Sequence, residues 1–262
     1  MSRRPDLGVL VQRGVRLLQQ NTPKDGSAYY GAFSGGKDSC CIKELARMAE
    51  VPVEWHYHVT TIDPPELVRF IRAEHPDVIF DRPAHGNLLR RAVEIGVIPS
   101  RRSRWCCREY KETSDTGGRP LIVGVRAAES RARAERWTAC VQQHDRTGGT
   151  VVLPVRLWGD DDVWQFVRWS GIRCCSLYDE GFSRMGCVGC PLASPAARRR
   201  EFRRWPRYEQ AWRRTFERIW QTRCAESSLF GSPVEWFEWW NDGQGNLSEW
   251  REAGDRAHEM QL

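Results

Sequence analysis

The chain runs from the apolar stretch Ala28–Phe33 directly into Ser34-Gly35-Gly36-Lys37-Asp38-Ser39, and few folds accommodate that junction. Ala28–Phe33 reads as a short buried strand. From Cys40 to Glu50 the apolar residues Ile42, Leu45, Ala46 and Ala49 recur at helical spacing. Between them, two glycines let successive backbone N–H groups converge, and the turn opens onto a helix N-terminus with its partial positive charge. Lys37 adds a mobile cation, and Ser34 and Ser39 add hydroxyl donors. The loop is therefore built to hold an anion of the phosphate type. The GxxxxGK[ST] phosphate loop is absent, because the lysine after the last glycine is followed by Asp38.

The rest of the first 200 residues alternates strand and helix. Leu7–Gln20 is a predicted helix, Val53–Val59 a strand, Glu66–Glu74 a helix, Val78–Phe80 a strand and Asn87–Ile95 a helix. Leu121–Val123 and Val151–Pro154 complete the strands, with Gln142–Gly149 as a polar connection. This order predicts an α/β fold with a doubly wound, mostly parallel sheet followed by a helical C-terminal region. Ligands of such sheets gather at the carboxyl ends of the strands. The phosphate loop, Asp63 and Gly124 fall there, although Asp63 is equally suited to capping the next helix. Gly124-Val-Arg126-Ala-Ala-Glu129-Ser-Arg131 is a polar loop at the end of a predicted strand. Arg126 or Arg131 would neutralise charge on a bound phosphate chain there, and Glu129 would orient an arginine or hold a magnesium ion. Asp160-Asp161-Asp162 opens a helix ending at Gly171 and is read as its cap. The expected division is an α/β domain over 1–195 and a basic, tryptophan-rich helical region over 196–262.

Ten cysteines in a chain with no secretory leader and no membrane-length apolar run argue for metal or sulfur chemistry in a soluble, cytoplasmic setting. Cys187-Val-Gly-Cys190-Pro191 places two thiols to face one metal. Cys175 lies twelve residues before this pair, and Cys106-Cys107 far upstream. By count, four thiolates suit zinc and an iron–sulfur cluster equally. Arg198–Arg223 holds ten arginines and three glutamates, enough to account for the whole net charge of +6. Interleaved with Phe202, Trp205, Tyr208, Trp212, Phe216, Ile219 and Trp220, this surplus is either a solvated basic face or a groove for a nucleic-acid backbone.

Ser34–Ser39 resembles the SGGxDS signature of the PP-loop ATP pyrophosphatases. Gly124–Arg131 and the cysteine pattern are similar to the branch holding phosphoadenosine phosphosulfate (PAPS) reductases and the DndC/SspD-type proteins of DNA phosphorothioation, closest in type to the latter. The resemblance spans about residues 25–225 and implies an adenine nucleotide α-hydrolase-like fold. It implies ATP and magnesium as cofactors, held by Ser34, Gly35, Gly36, Lys37, Asp38, Ser39, Asp63, Gly124 and Glu129. Catalytic roles fall to Lys37, Asp38, Arg126 and Arg131. A tandem Cys-Cys followed about eighty residues later by CxxC resembles the [4Fe–4S] pattern of adenylylsulfate reductases. The preferred ligand set is Cys106, Cys175, Cys187 and Cys190, with Cys107 replacing Cys175 as the alternative.

The resulting expectation is an enzyme that cleaves ATP to AMP and pyrophosphate and activates an acceptor oxygen for replacement by sulfur. The favoured acceptor is a DNA backbone phosphate, bound through the Arg198–Arg223 region. A cysteine desulfurase would donate the sulfur, other subunits of a modification system would be possible partners, and no membrane is involved. The alternatives are a sulfonucleotide reductase, a tRNA-thiolating enzyme and a cluster-bearing DNA-binding subunit. The reductases of this branch attack with a cysteine in a C-terminal Glu-Cys-Gly-Leu-His-type segment. Cys224, the last cysteine here, sits in Thr-Arg-Cys-Ala-Glu instead.

Overall fold

The computed structural model describes residues 6–112, 115–143, 149–224 and 229–249. The chain divides into two compact units, and the division is not the linear one expected at 195/196. The first unit comprises residues 1–59, 64–81 and 114–186, the second residues 60–63, 82–113 and 187–262.

The first unit is the sheet with its helices. In chain order it holds α1 (Leu7–Gln20), β1 (Tyr29–Ala32), α2 (Lys37–Met48), β2 (Val53–His58), α3 (Pro65–Glu74) and β3 (Ile79–Asp81). The second unit contributes α4 (Leu88–Ile95) and α5 (Trp105–Tyr110), after which the chain returns to the sheet. There follow β4 (Leu121–Ile122), α6 (Arg131–Arg136), β5 (Val141–Gln143), β6 (Thr150–Val152) and α7 (Asp160–Ser170). The strand order is β3-β2-β1-β4-β6-β5. All pairs are parallel except the edge pair β5–β6. The expected doubly wound sheet is present, and its order reverses between β1 and β4. That reversal splays the connections apart at the carboxyl ends of these two strands, where a ligand crevice forms in such folds. The loop 33–36 follows β1 and the loop 123–130 follows β4.

Local sequence accounts for the element ends. Asp6 caps α1 by accepting the Gly8 N–H at 2.8 Å. In β1, a Cβ on Gly31 would lie 2.3 Å from Trp55 Cε3, so glycine there lets the Trp55 ring cover the strand. The helix after the glycines begins at Lys37 rather than Cys40, since the Cys40 N–H already bonds the Gly36 carbonyl at 3.0 Å. Part of the connection expected over 142–149 is instead the antiparallel strand β5, which pairs through polar Gln142 and Gln143. Edge strands need no apolar alternation, and this one gave no periodic signal.

The second unit is helical, adding α8 (Pro195–Arg204), α9 (Pro206–Ile219) and α10 (Pro233–Asn241) to α4 and α5. Its core is aromatic: Phe202, Trp212, Phe216, Phe237 and Trp240 are buried. Trp212 Nε1 donates to the Val188 carbonyl at 3.1 Å, and Trp240 Nε1 to the Pro99 carbonyl at 2.8 Å. These tryptophans therefore serve packing, with their polar edges satisfied by backbone. Arg223 and Cys224 have no described side chains, and the tail beyond 249 lies outside the described residues.

Candidate active site

The phosphate loop is held open by its own hydroxyls. Gly35 has φ +70°, and a Cβ there would press within 2.7 Å of Leu67 and Ile71, so both conformation and space demand glycine. Ser34 Oγ donates to Ser39 Oγ at 3.3 Å, and Ser39 Oγ to the Gly36 carbonyl at 2.8 Å. Gly124, arriving from β4, lies so close that a Cβ would sit 3.1 Å from the Asp38 carbonyl. This explains why the two loops share a glycine at their point of approach.

Arg126 is 4% exposed and is the centre of the charged cluster. Its Nε donates to Asp38 Oδ1 at 2.5 Å, its Nη2 to Asp160 Oδ1 at 3.0 Å and its Nη1 to the Trp158 carbonyl at 3.5 Å. Lys37 Nζ stands 3.4 Å from Asp38 Oδ2 and 3.3 Å from Asp160 Oδ1. Two buried cations thus face two shared carboxylates. Burial pushes the Asp160 carboxyl upward, but Lys37 and Arg126 outweigh it and hold the group below its ordinary value. Asp160 was read from sequence as a cap. The structure gives that task to Asp162, which accepts the Gly159 N–H at 2.7 Å, and turns Asp160 toward the phosphate-loop cations. No sequence signal separated the three aspartates.

Asp160, with its side chain 64% exposed, is an internal anion on the cations a phosphate would use. Asp160→Asn is expected to tighten binding of inorganic pyrophosphate by up to about fivefold, the scale of one exposed ion pair. Isothermal titration checks this, and weaker binding would make Asp160 an organiser of the cations instead.

The remaining expected residues are divided. Glu129 accepts the Arg126 N–H at 3.2 Å and pairs with Arg133, so it orients the arginine loop. Arg131 is not brought to the cluster: it pairs with Glu135 at 2.6 Å with its side chain 92% exposed. Asp63 belongs to the second unit, where its carboxylate accepts the Thr60 N–H at 2.8 Å and the Thr60 hydroxyl at 2.7 Å. That is a turn-closing role. Tyr178, which the sequence did not single out, accepts the Lys37 N–H at 2.9 Å.

Cys106, Cys107, Cys187 and Cys190 all lie in the second unit. Cys106 hydrogen-bonds Cys107 and feels the charge of Cys187 and Cys190, and this neighbourhood raises its pKa. The same hydrogen bond, helped by Arg104, holds Cys107 down. Burial raises Cys187, while Lys111 opposes that rise. Trp105 Nε1 and Tyr110 Oη, on the helix carrying Cys106 and Cys107, are buried without a hydrogen-bond partner. Soft donors and orphaned polar edges suit a thiolate-bound group. Among the described residues, however, no three His, Cys, Asp or Glu side chains are gathered closely enough to hold a metal ion. The preferred ligand Cys175 lies in the first unit, where its charged neighbours are Glu66, Cys174 and Glu180. The alternative set with Cys107 is the one that shares a unit.

The basic region is also divided. Arg198 is buried, Arg199 pairs with Asp242 at 3.0 Å, and Arg213 bridges Glu209 and Glu238. Arg203, Arg207, Arg214 and Arg218 are exposed. At 100° per residue, Arg207, Arg214 and Arg218 fall on one stripe of α9, opposite Trp212 and Phe216.

The phosphoadenosine phosphosulfate reductase domain matches residues 29–193. This chain belongs to that family. The match takes in the phosphate loop, Arg126, Asp160, Tyr178 and the four cysteines of the second unit, and ends before α8. Within the PAPS reductase-like family, an adenosine 5'-phosphosulfate reductase of Allochromatium vinosum is 25% identical over 204 residues, 68% of this chain and 73% of the relative. An uncharacterised 37.8 kDa protein of Escherichia phage 186 is 34% identical over 125 residues. That alignment spans 36% of the phage protein, and one to an uncharacterised Methanocaldococcus jannaschii protein spans 41% of its length. A solved PAPS reductase of Candida auris, in a phosphate complex, superposes with a TM-score of 0.52 at 15% identity. It covers 71% of this chain and 98% of that one, and it shares the fold.

Proposed function

We propose that the chain is an ATP pyrophosphatase that activates an acceptor oxygen for replacement by sulfur. The observation that carries this reading is the intact Ser34–Ser39 loop, with Lys37 and Arg126 converging beside it. The loop N–H groups would bind the β- and γ-phosphates, and Lys37 would lie along the triphosphate. The acceptor oxygen attacks the α-phosphorus, pyrophosphate leaves, and an adenylylated intermediate results. Arg126, once phosphate displaces Asp160 from it, stabilises the charge that accumulates in that step. A persulfide sulfur delivered from a cysteine desulfurase then attacks the activated centre and displaces AMP, and a thiol reductant cleaves the resulting S–S bond to leave the thio product. Magnesium, when bound with the triphosphate, would supply further charge neutralisation. A [4Fe–4S] cluster would be held by Cys106, Cys107, Cys187 and Cys190, and would supply a site for sulfide or a brace for its loops.

A DndC-type role, with DNA phosphate as the acceptor, is supported by the exposed arginine stripe of α9. Arg207, Arg214 and Arg218 would each meet a backbone phosphate. Replacing all three with alanine is expected to lower the slope of log binding constant against log salt by about 3, at about 0.9 per phosphate contact. Fluorescence anisotropy with duplex DNA measures it, and an unchanged slope would remove the stripe from the DNA-binding face.

The deciding experiment is anaerobic purification with iron and sulfide analysis, followed by incubation with ATP, duplex DNA, a persulfide donor and a thiol reductant. AMP, pyrophosphate and phosphorothioate linkages are expected, with iron lost in Cys107→Ser and kept in Cys175→Ser. The second reading, a sulfonucleotide reductase, draws on the Allochromatium relative. Inertness toward ATP, with consumption of adenylylsulfate or its 3′-phosphorylated form, would establish that reading in place of the first.

A further inference from the structure

A cavity of about 310 Å³ lies between α1 and the turn that follows β6, within the first unit. Gly14 sets how closely the two walls approach, because a Cβ there would lie 3.1 Å from Leu45 and 3.4 Å from the Pro154 carbonyl. Along α1, Leu10, Arg13 and Leu17 recur at spacings of three and four, so they share the stripe that lines the cavity. Pro154, Leu157 and Trp158 form the opposite wall. The volume falls at the small end of the range for ligand sites, roughly 300–1,000 Å³.

Packing alone does not account for this lining. Leu157 is 53% exposed, an apolar side chain left uncovered on the wall. Arg13 and Arg16, both exposed, also line the cavity, and among the described residues neither is paired with a carboxylate. α1 carries no acidic residue, and Asp6 just before it is used on the Gly8 N–H. Two unneutralised guanidinium groups thus border one apolar concavity. None of Ser34–Ser39 lines it. Trp158 stands between the two places: it lines the cavity, and its carbonyl accepts from Arg126 Nη1.

We propose that this cavity is a second ligand site, separate from the phosphate loop, for a small organic anion with an apolar chain or ring and one carboxylate. Burial of the apolar body against Leu10, Leu17, Leu157 and Trp158 supplies the affinity. Arg13 and Arg16 select the anion, because their planar forks match a carboxylate. The volume takes a whole small molecule but not a helix of a partner protein, which alone is about 10–12 Å across. The proposal stands independently of any reading of Ser34–Ser39.

The test uses the whole protein, purified anaerobically, with octanoate as the chain probe, 8-anilinonaphthalene-1-sulfonate as the ring probe and octanol as an uncharged counterpart. Isothermal titration should show octanoate at one site, with octanol weaker by about tenfold, the scale of two exposed ion pairs. The double variant Arg13→Ala, Arg16→Ala should lose that tenfold for octanoate and bind octanol unchanged. Leu157→Asp, at an exposed position that folding tolerates, should weaken octanoate at least as much by setting an anion on the wall. Cys140 also lines the cavity and is half-buried, so it reports the location. Octanoate should slow its alkylation by iodoacetamide, read by peptide mass spectrometry, and leave the other cysteines unchanged. Binding of neither octanoate nor the naphthalene probe overturns the site, and equal affinity for octanoate and octanol overturns the choice of an anion. Displacement of octanoate by pyrophosphate, or protection of other cysteines without Cys140, places the ligand elsewhere and overturns the cavity. A dimer in sedimentation that Leu157→Asp dissociates would give this face to a second copy of the chain instead.

Discussion

Replacing Arg126 with glutamine is expected to lower kcat for pyrophosphate release from ATP by about 10²–10³-fold, the usual cost of removing one preorganised donor to a transition-state anion. The guanidinium is fixed before substrate arrives: Asp38, Asp160 and the Trp158 carbonyl hold three of its nitrogens, and burial shields it from water. Once phosphate takes Nη2 from Asp160, Asp38 and the Trp158 carbonyl still hold Nε and Nη1, so charge developing during attack at the α-phosphorus meets a donor already in place. Glutamine fills much of the space but carries no charge. Lysine restores the charge without the planar fork, so Arg126→Lys should recover only part of the loss. The loss should fall on kcat more than on KM, because Lys37 and the loop N–H groups still bind the ground state. Steady-state kinetics on variants verified as folded by thermal melting decide the matter. Wild-type kcat in Arg126→Gln would assign the arginine to loop structure alone.

Arg198→Met is expected to cost about 3–5 kcal/mol, because several buried carbonyls lose their donor at about 1–3 kcal/mol each. The Arg198 side chain is 0% exposed and makes six hydrogen bonds to backbone carbonyls. Nε reaches Asn241 at 3.2 Å. Nη1 reaches Cys190, Pro191 and Ala193 at 3.3, 3.1 and 2.9 Å, and Nη2 reaches Trp240 and Asn241 at 3.2 and 2.6 Å. The Trp240 ring lies beneath it at 5.3 Å. Burial lowers its pKa to about 10, so it remains charged at neutral pH. Methionine fills similar space but takes away this donor from the Pro191, Trp240 and Asn241 carbonyls, while Cys190 and Ala193 keep bonds from the Ala193 N–H and Arg101. A fall in Tm of roughly 10 °C follows for a chain of this size. Calorimetry measures it, with Arg203→Ala as a surface control that should barely shift. If Cys106, Cys107, Cys187 and Cys190 hold the proposed cluster, iron retention should fall too, because the Cys190 and Pro191 carbonyls are among the partners. An unchanged Tm would return Arg198 to the basic surface where its sequence position put it.

What was legible in the sequence was local. The glycines, lysine and serines of 34–39 had to form a tight strand-to-helix turn, since φ +70° at Gly35 against Leu67 and Ile71 demands glycine. The alternation of apolar runs fixed the parallel sheet, and Gly171 with the acidic triplet fixed both ends of α7. Tertiary structure decided which of several similar residues was used. It set Asp162 to cap and Asp160 to pair, and Arg126 inward and Arg131 into solvent. It also made Arg198 a clamp inside a run of otherwise basic surface. A chain pattern records the preferences of near neighbours, whereas these choices depend on groups brought from far along the chain. For Arg198 those partners are backbone carbonyls, which every residue carries and no sequence can distinguish.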